Sequence, residues 1–98
     1  RIEEQRAVLA VARRLVKPGG ALVYVTCSLL AEENTDQVTW LLGDAPELAV
    51  RPYAEVWRER IGIEAPASAD GRTDGLLLTP ARHGTDGFFV AILIRRRD

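Results

Sequence analysis

At 98 residues the chain is limited to one domain. Its 13 Lys and Arg against 14 Asp and Glu leave a formal charge of −1, so composition gives no basic footprint for nucleic acid; 47% hydrophobic and 28% charged residues exclude a disordered polyampholyte. No apolar run approaches the roughly 18 residues of a membrane helix, and a single cysteine, Cys27, excludes an internal disulfide framework and fits a reducing, cytoplasmic compartment.

No methionine occurs, and Arg1-Ile2-Glu3-Glu4 already carries a helix-like pattern, so a piece of a longer product is expected. Over residues 2–17, Val8, Val11, Ala12 and Leu15 fall at i, i+3, i+4 and i+7, with Arg6, Arg13, Arg14 and Lys17 on other faces; this predicts an amphipathic helix with a basic last turn. Pro18-Gly19-Gly20 stops it. Ala21-Leu22-Val23-Tyr24-Val25-Thr26 is an unbroken β-favouring run without polar alternation, as in a strand covered on both faces. A second helix is expected from about Glu32, with Glu32, Glu33 and Asp36 at the favourable end of the dipole and Val38, Trp40, Leu41 and Leu42 behind them, closing at Gly43-Asp44-Ala45-Pro46.

A short strand is expected at Leu48–Arg51, Tyr53–Ile61 is ambiguous, and residues 62–75 read as a flexible loop. Leu76-Leu77-Leu78-Thr79 and Phe88-Phe89-Val90-Ala91-Ile92-Leu93-Ile94, joined by a longer connection, predict an antiparallel pair whose second strand is apolar on both faces. Helix, strand, helix and terminal hairpin make the chain α/β, the second half of an open sheet. Two doubly covered strands need more neighbours than these residues supply, so a partner sequence, expected upstream, completes the sheet.

The candidate nucleophile is Cys27, just past the carboxyl end of a predicted central strand, where open α/β sheets form ligand crevices. The alternative is that Cys27 is a small core hydrophobe. His83, the only histidine, is distant in sequence, which makes a Cys–His hydrolase a weaker reading. Gly19-Gly20 sits at a helix exit without G-x-G-x-x-G spacing and reads as a turn. One cysteine, one histidine and scattered carboxylates form no ligand set, so no metal is assigned. Arg95-Arg96-Arg97 reads as a solvated terminus in preference to a phosphate contact.

Three stretches together resemble the C-terminal portion of the Sun/NOP-type RNA cytosine-5 methyltransferases, the group that includes bacterial ribosomal RNA enzymes. They are Lys17-Pro18-Gly19-Gly20-Ala21-Leu22-Val23-Tyr24-Val25-Thr26-Cys27-Ser28, then Glu32-Glu33-Asn34, and His83-Gly84-Thr85-Asp86-Gly87-Phe88-Phe89-Val90-Ala91. The combination of Thr-Cys-Ser with Asp-Gly-Phe-Phe is specific; Pro-Gly-Gly before a strand is common to many methyltransferases. Ala31 departs from the family, which often has proline there, and this touches only the helix start.

The resemblance implies the C-terminal half of a Rossmann-like, S-adenosylmethionine-dependent methyltransferase sheet. The strand ending at Thr26 would be the fifth, and residues 88–94 the last strand, inserted antiparallel beside it. It implies that Cys27 attacks carbon 6 of cytosine, with Thr26 and Ser28 positioning the nucleophile or the base. It also implies that the glycine-rich cofactor loop, the acidic ribose ligand, the Pro-Cys element and the basic RNA-binding region lie upstream. This segment then contributes no cofactor-binding residue, its RNA substrate, expected to be ribosomal, is bound mostly elsewhere, and the isolated chain is expected to be inactive. Two rivals remain: a non-catalytic RNA-binding or assembly module on the same scaffold, and a small-molecule methyltransferase in which Cys27 is structural.

Overall fold

The computed structural model describes residues 2–83 and 87–97; the Gly84-Thr85-Asp86 part of the third stretch lies outside them. Four strands form one sheet: β1 (Ala21–Thr26), β2 (Leu48–Arg51), β3 (Leu76–Leu78) and β4 (Phe88–Arg95). β4 is the axis. It pairs antiparallel with β1 along one edge, Ala21 opposite Ile94 through Thr26 opposite Phe89; β2 and β3 share its other edge, with Leu48 opposite Arg95 and Leu76 opposite Val90. Since β1 and β2 both oppose β4, they run parallel to each other, with the last strand inserted between them. The β3–β4 pair is the terminal hairpin that the two apolar runs predict, and the whole is a partial Rossmann-like α/β sheet.

Side chains alternate across β4 and separate two layers. Phe89, Ala91 and Leu93, at most 1% exposed, point to the side of α1 (Ile2–Leu15) and α2 (Thr35–Asp44), where they meet Leu9, Val38, Leu41, Ala45 and Leu48. Tyr24 of β1 stands edge-on to Phe89 with ring centroids 6.3 Å apart, a favoured aromatic geometry. On the opposite face Phe88, Val90 and Ile92 meet α3 (Tyr53–Ile61). The ambiguous stretch is thus a helix: Pro52 precedes its first turn, Tyr53, Val56 and Trp57 share its inner face, and Gly62 at φ 85° ends it, its N–H reaching Arg58 C=O at 2.9 Å.

The α1 helix ends at Leu15, not Lys17, and its buried face differs from the predicted one. Leu9 is its buried residue, whereas Val8, Val11 and Leu15 are exposed. The reason lies in polar packing against α2. Arg6 donates from Nε to Gln37 Oε1 at 3.0 Å and lies 4.9 Å over the Trp40 ring, while Gln37, fully buried, donates to Ile2 C=O and Gln5. Arg13 makes a two-pronged contact with Glu47, 3.0 and 2.9 Å, and a third with Asp44 at 2.9 Å. The arginines therefore face α2, and the apolar stripe faces away from it.

β1 is likewise covered on one face only. Leu22 and Tyr24 pack on the core, but Val23 and Val25 are more than half exposed, because α3 lies over β3 and β4 and stops short of β1. Among the described residues the outer edge of β1 has no strand partner.

The segment over residues 62–75 carries specific anchors. Ser68, 2% exposed, accepts from Leu77 N–H at 2.8 Å and donates to Asp70 at 2.6 Å, and the Tyr53 hydroxyl accepts from Ser68 N–H while donating to Pro66 C=O. No helix among the described residues is long and apolar enough to cross a membrane.

Candidate active site at the end of β1

Thr26 is the last residue of β1, and Cys27 follows it as an exposed residue at the strand's carboxyl end. The chain then turns through Ser28, Leu29 and Leu30 into a short 3₁₀ turn at Ala31–Glu33, and α2 begins at Thr35, three residues beyond the predicted start. The delay has a cause: the Tyr24 hydroxyl donates to Glu33 C=O at 2.5 Å and docks this turn onto β1 before the helix sets out.

The Cys27 backbone is held from both sides. The Thr26 hydroxyl donates to Asn34 Oδ1 and accepts from Ser28 N–H at 3.2 Å; Asn34 Nδ2 donates to Ser28 C=O at 2.8 Å; Ser28 Oγ accepts from Leu30 N–H at 3.0 Å. Both neighbours of Cys27, Thr26 and Ser28, thus have hydroxyls engaged in shaping the turn. Asn34 is 2% exposed, so this network sits under the surface while Cys27 stands on it. In the sequence, Asn34 reads as part of a helix start. The available signal was a cap-type residue beside a family-like acidic pair.

The far end of the family-like pattern meets the same place. Thr26 lies opposite Phe89 in the ladder, and Gly87 lies against Leu29: a β-carbon added to Gly87 would stand 2.5 Å from Leu29 Cδ2. Glycine at that position lets the strand entering β4 approach the turn that follows Cys27. The Thr-Cys-Ser and Gly-Phe-Phe elements, 61 residues apart in sequence, are therefore neighbours across one sheet end.

Other candidates are placed differently. His83 closes α4 (Pro80–His83), where Nδ1 accepts from Thr79 N–H at 3.2 Å, leaving the protonated Nε2 to face Ala67 C=O at 2.8 Å. Both ring nitrogens serve the backbone, and a Cys27–His83 pair has no support. Gly19 and Gly20 direct their N–H groups at Arg95 and Lys17 carbonyls, each at 2.8 Å, so this pair offers no free cradle for a phosphate or a nucleotide. Arg95 corrects the reading of a solvated basic tail: its Nη1 donates to Val16 C=O at 2.7 Å and ties the end of β4 to the end of α1, leaving only Arg96 and Arg97 exposed. Among the described residues no three His, Cys, Asp or Glu side chains converge as a metal site. The Arg13 hydrogen bonds hold the Glu47 carboxyl below its ordinary range, and Arg72 does the same for Asp74.

The fold, an α/β sheet with an antiparallel last strand inserted beside β1, is that of the α/β methyltransferases. The family model described as 16S rRNA methyltransferase RsmB/F matches residues 1–94, and the chain belongs to that family, as the Sun/NOP-type resemblance implies. Ribosomal RNA small subunit methyltransferase B of Sodalis glossinidius (strain morsitans) is 34% identical over 93 residues, which are 95% of this chain and 18% of that protein. The tRNA (cytosine(72)-C(5))-methyltransferase NSUN6 of Mus musculus is 50% identical over 48 residues, 49% of this chain and 10% of that protein. The crystal structure of NSun6 from Pyrococcus horikoshii with SFG matches with a TM-score of 0.76 and 28% identity, covering 99% of this chain and 22% of that one. The chain thus spans less than a quarter of each of these relatives.

Proposed function

We propose that this segment is the nucleophile-bearing part of an S-adenosylmethionine-dependent RNA cytosine-5 methyltransferase, with ribosomal RNA as the substrate class. The observation that carries this reading is the exposed Cys27 at the end of β1, on a turn fixed from below and flanked by Gly87 and Phe89. Family membership and relatives named for RNA and cytosine-C5 methylation support it.

Carbon 5 of cytosine is too electron-poor to take an electrophilic methyl group directly. Attack of the Cys27 thiolate on carbon 6 makes a covalent bond that raises electron density at carbon 5 and divides one hard step into easier ones. Bound S-adenosylmethionine supplies the electrophilic methyl; the residues that hold it belong outside this segment, consistent with the backbone-engaged Gly19-Gly20 turn. After methylation, loss of the carbon-5 proton and cleavage of the carbon 6–sulfur bond return Cys27 free. Thr26 and Ser28 keep the thiol aimed by fixing the turn, and the target base reaches it splayed out of any stack.

The open face of β1 and the outward stripe of α1 are read as the surfaces on which the rest of the same domain packs. Val23, Val25, Val8, Val11 and Leu15 are too many exposed apolar side chains on adjoining elements for a finished surface of this size. On this reading the 98 residues alone neither hold the cofactor nor methylate.

The test uses the full-length protein with cofactor and an RNA bearing 5-fluorocytosine at candidate sites. Fluorine at carbon 5 blocks the final elimination, so a complex that survives denaturation is expected, and it is absent with Cys27→Ala. A full-length protein that binds cofactor and RNA, yet forms no adduct with any such RNA, overturns the reading and returns Cys27 to a structural role.

A further inference from the structure

We infer that Asn34 is a positioning residue for Cys27, an inference that rests on Cys27 being the nucleophile. Asparagine where a helix begins ordinarily turns its side chain to cap the first-turn N–H groups. Asn34 does not: at φ −116° and ψ −99° it makes no side-chain cap to α2, although its backbone C=O accepts from Gln37 and Val38 N–H at 3.1 Å. Its carboxamide is turned back to β1, and its orientation there is dictated by its partners. Ser28 C=O can only accept, so Nδ2 faces it at 2.8 Å and Oδ1 faces the Thr26 hydroxyl. Because Thr26 Oγ1 also accepts from Ser28 N–H, three groups form a closed ring of hydrogen bonds around the Cys27 backbone: the Asn34 amide, the Thr26 hydroxyl and the Ser28 peptide.

The ring has chemical consequences. Thr26 and Ser28 are fixed to each other and to the first residue before α2, so Cys27 between them has little backbone freedom, while its thiol is left open to a substrate. With Asn34 at 2% exposure, water does not substitute freely for the carboxamide. A local helix-capping preference is given up and the gain falls on the loop that carries the nucleophile, the pattern by which a functional site departs from local rules. Holding a nucleophile in its attacking geometry before the substrate arrives is worth rate rather than affinity.

The experiment measures single-turnover methylation, adduct formation on 5-fluorocytosine RNA, and RNA and cofactor dissociation constants in the full-length protein. Asn34→Ala is expected to slow both rates by about tenfold to a hundredfold, as a displaced reacting group does. Both dissociation constants are expected to stay within about threefold, since an interaction realised in the transition state is the one removed. Thr26→Val, which keeps the β-branched shape and removes the shared hydroxyl, is expected to do the same, and the double variant to lose no more than the worse single one, because the two act as a unit. Should Asn34→Ala fail to fold, Thr26→Val decides. The inference is overturned if the folded variants keep the wild-type rates, if the two losses multiply, or if the loss lies wholly in the dissociation constants. Cys27→Ala separates the two levels: methylation retained there removes the nucleophile itself, whereas methylation lost there and kept in Asn34→Ala and Thr26→Val removes only the role of Asn34.

Discussion

β1 and β4 are both short on polar residues, yet they stand in different surroundings. β4 has strands along both edges, with α1 and α2 over Phe89, Ala91 and Leu93 and α3 over Val90 and Ile92. Among the described residues β1 has one strand neighbour, and its Val23 and Val25 are more than half exposed. An apolar run therefore records the environment a strand requires. Whether the requirement is met depends on which neighbours are present. For β4 they lie within these residues; for β1, among the described residues, one edge has no strand and Val23 and Val25 stay exposed.

The largest expected effect lies in β4. Phe89 is 1% exposed and packs edge-on to Tyr24, so Phe89→Ala leaves a cavity at the sheet centre and costs about 3–5 kcal/mol. Denaturant unfolding of the full-length protein measures it, and a cost below about 1 kcal/mol would mean that β4 is not the core strand. Next comes β1, where the comparison can be broken. If the rest of the domain covers Val23, Val23→Lys destabilises the full-length protein by about 1.5–3 kcal/mol, the value of a buried aliphatic side chain. If that face is open in the full-length protein, the change stays within about 0.5 kcal/mol, as surface substitutions do.

Much of this architecture is legible in the sequence. β1 and β2 occupy Ala21–Thr26 and Leu48–Arg51 as predicted, because short β-favouring runs are punctuated by Pro18-Gly19-Gly20, Pro46 and Pro52. Tyr53–Ile61 reads ambiguously although Gly62 and its apolar spacing point to a helix, since a nine-residue segment gives a weak period. The α1 stripe was found, but periodicity says which residues share a face and not which face has a partner; arginines that pack by hydrogen bonds and ring stacking on α2 are invisible to an apolar count. The place of Cys27 just past a strand end is legible in the sequence. Asn34 was not, because its role depends on a side chain turning away from the helix it begins.

The smallest effect sharpens the contrast at the chain's polar seam. Arg13 on α1 donates to both carboxylate oxygens of Glu47, at the entry to β2, and these bonds hold the Glu47 carboxyl below its ordinary value. A carboxyl whose folded pKa is depressed adds stability that is present above its unfolded pKa, about 4.3 for glutamate, and that is lost as pH falls through the folded value. The contribution therefore persists at neutral pH and drains away in acid. Glu47→Gln keeps a hydrogen-bond acceptor for Arg13 but removes the charge, so the variant is expected to lose a little stability at pH 7 and none of that difference to remain near pH 2. Paired unfolding curves at the two pH values check this. A difference that is the same at both would mean that Glu47 acts by shape alone, and that the α1 seam is held by Gln37 and the Arg6–Trp40 stack rather than by charge.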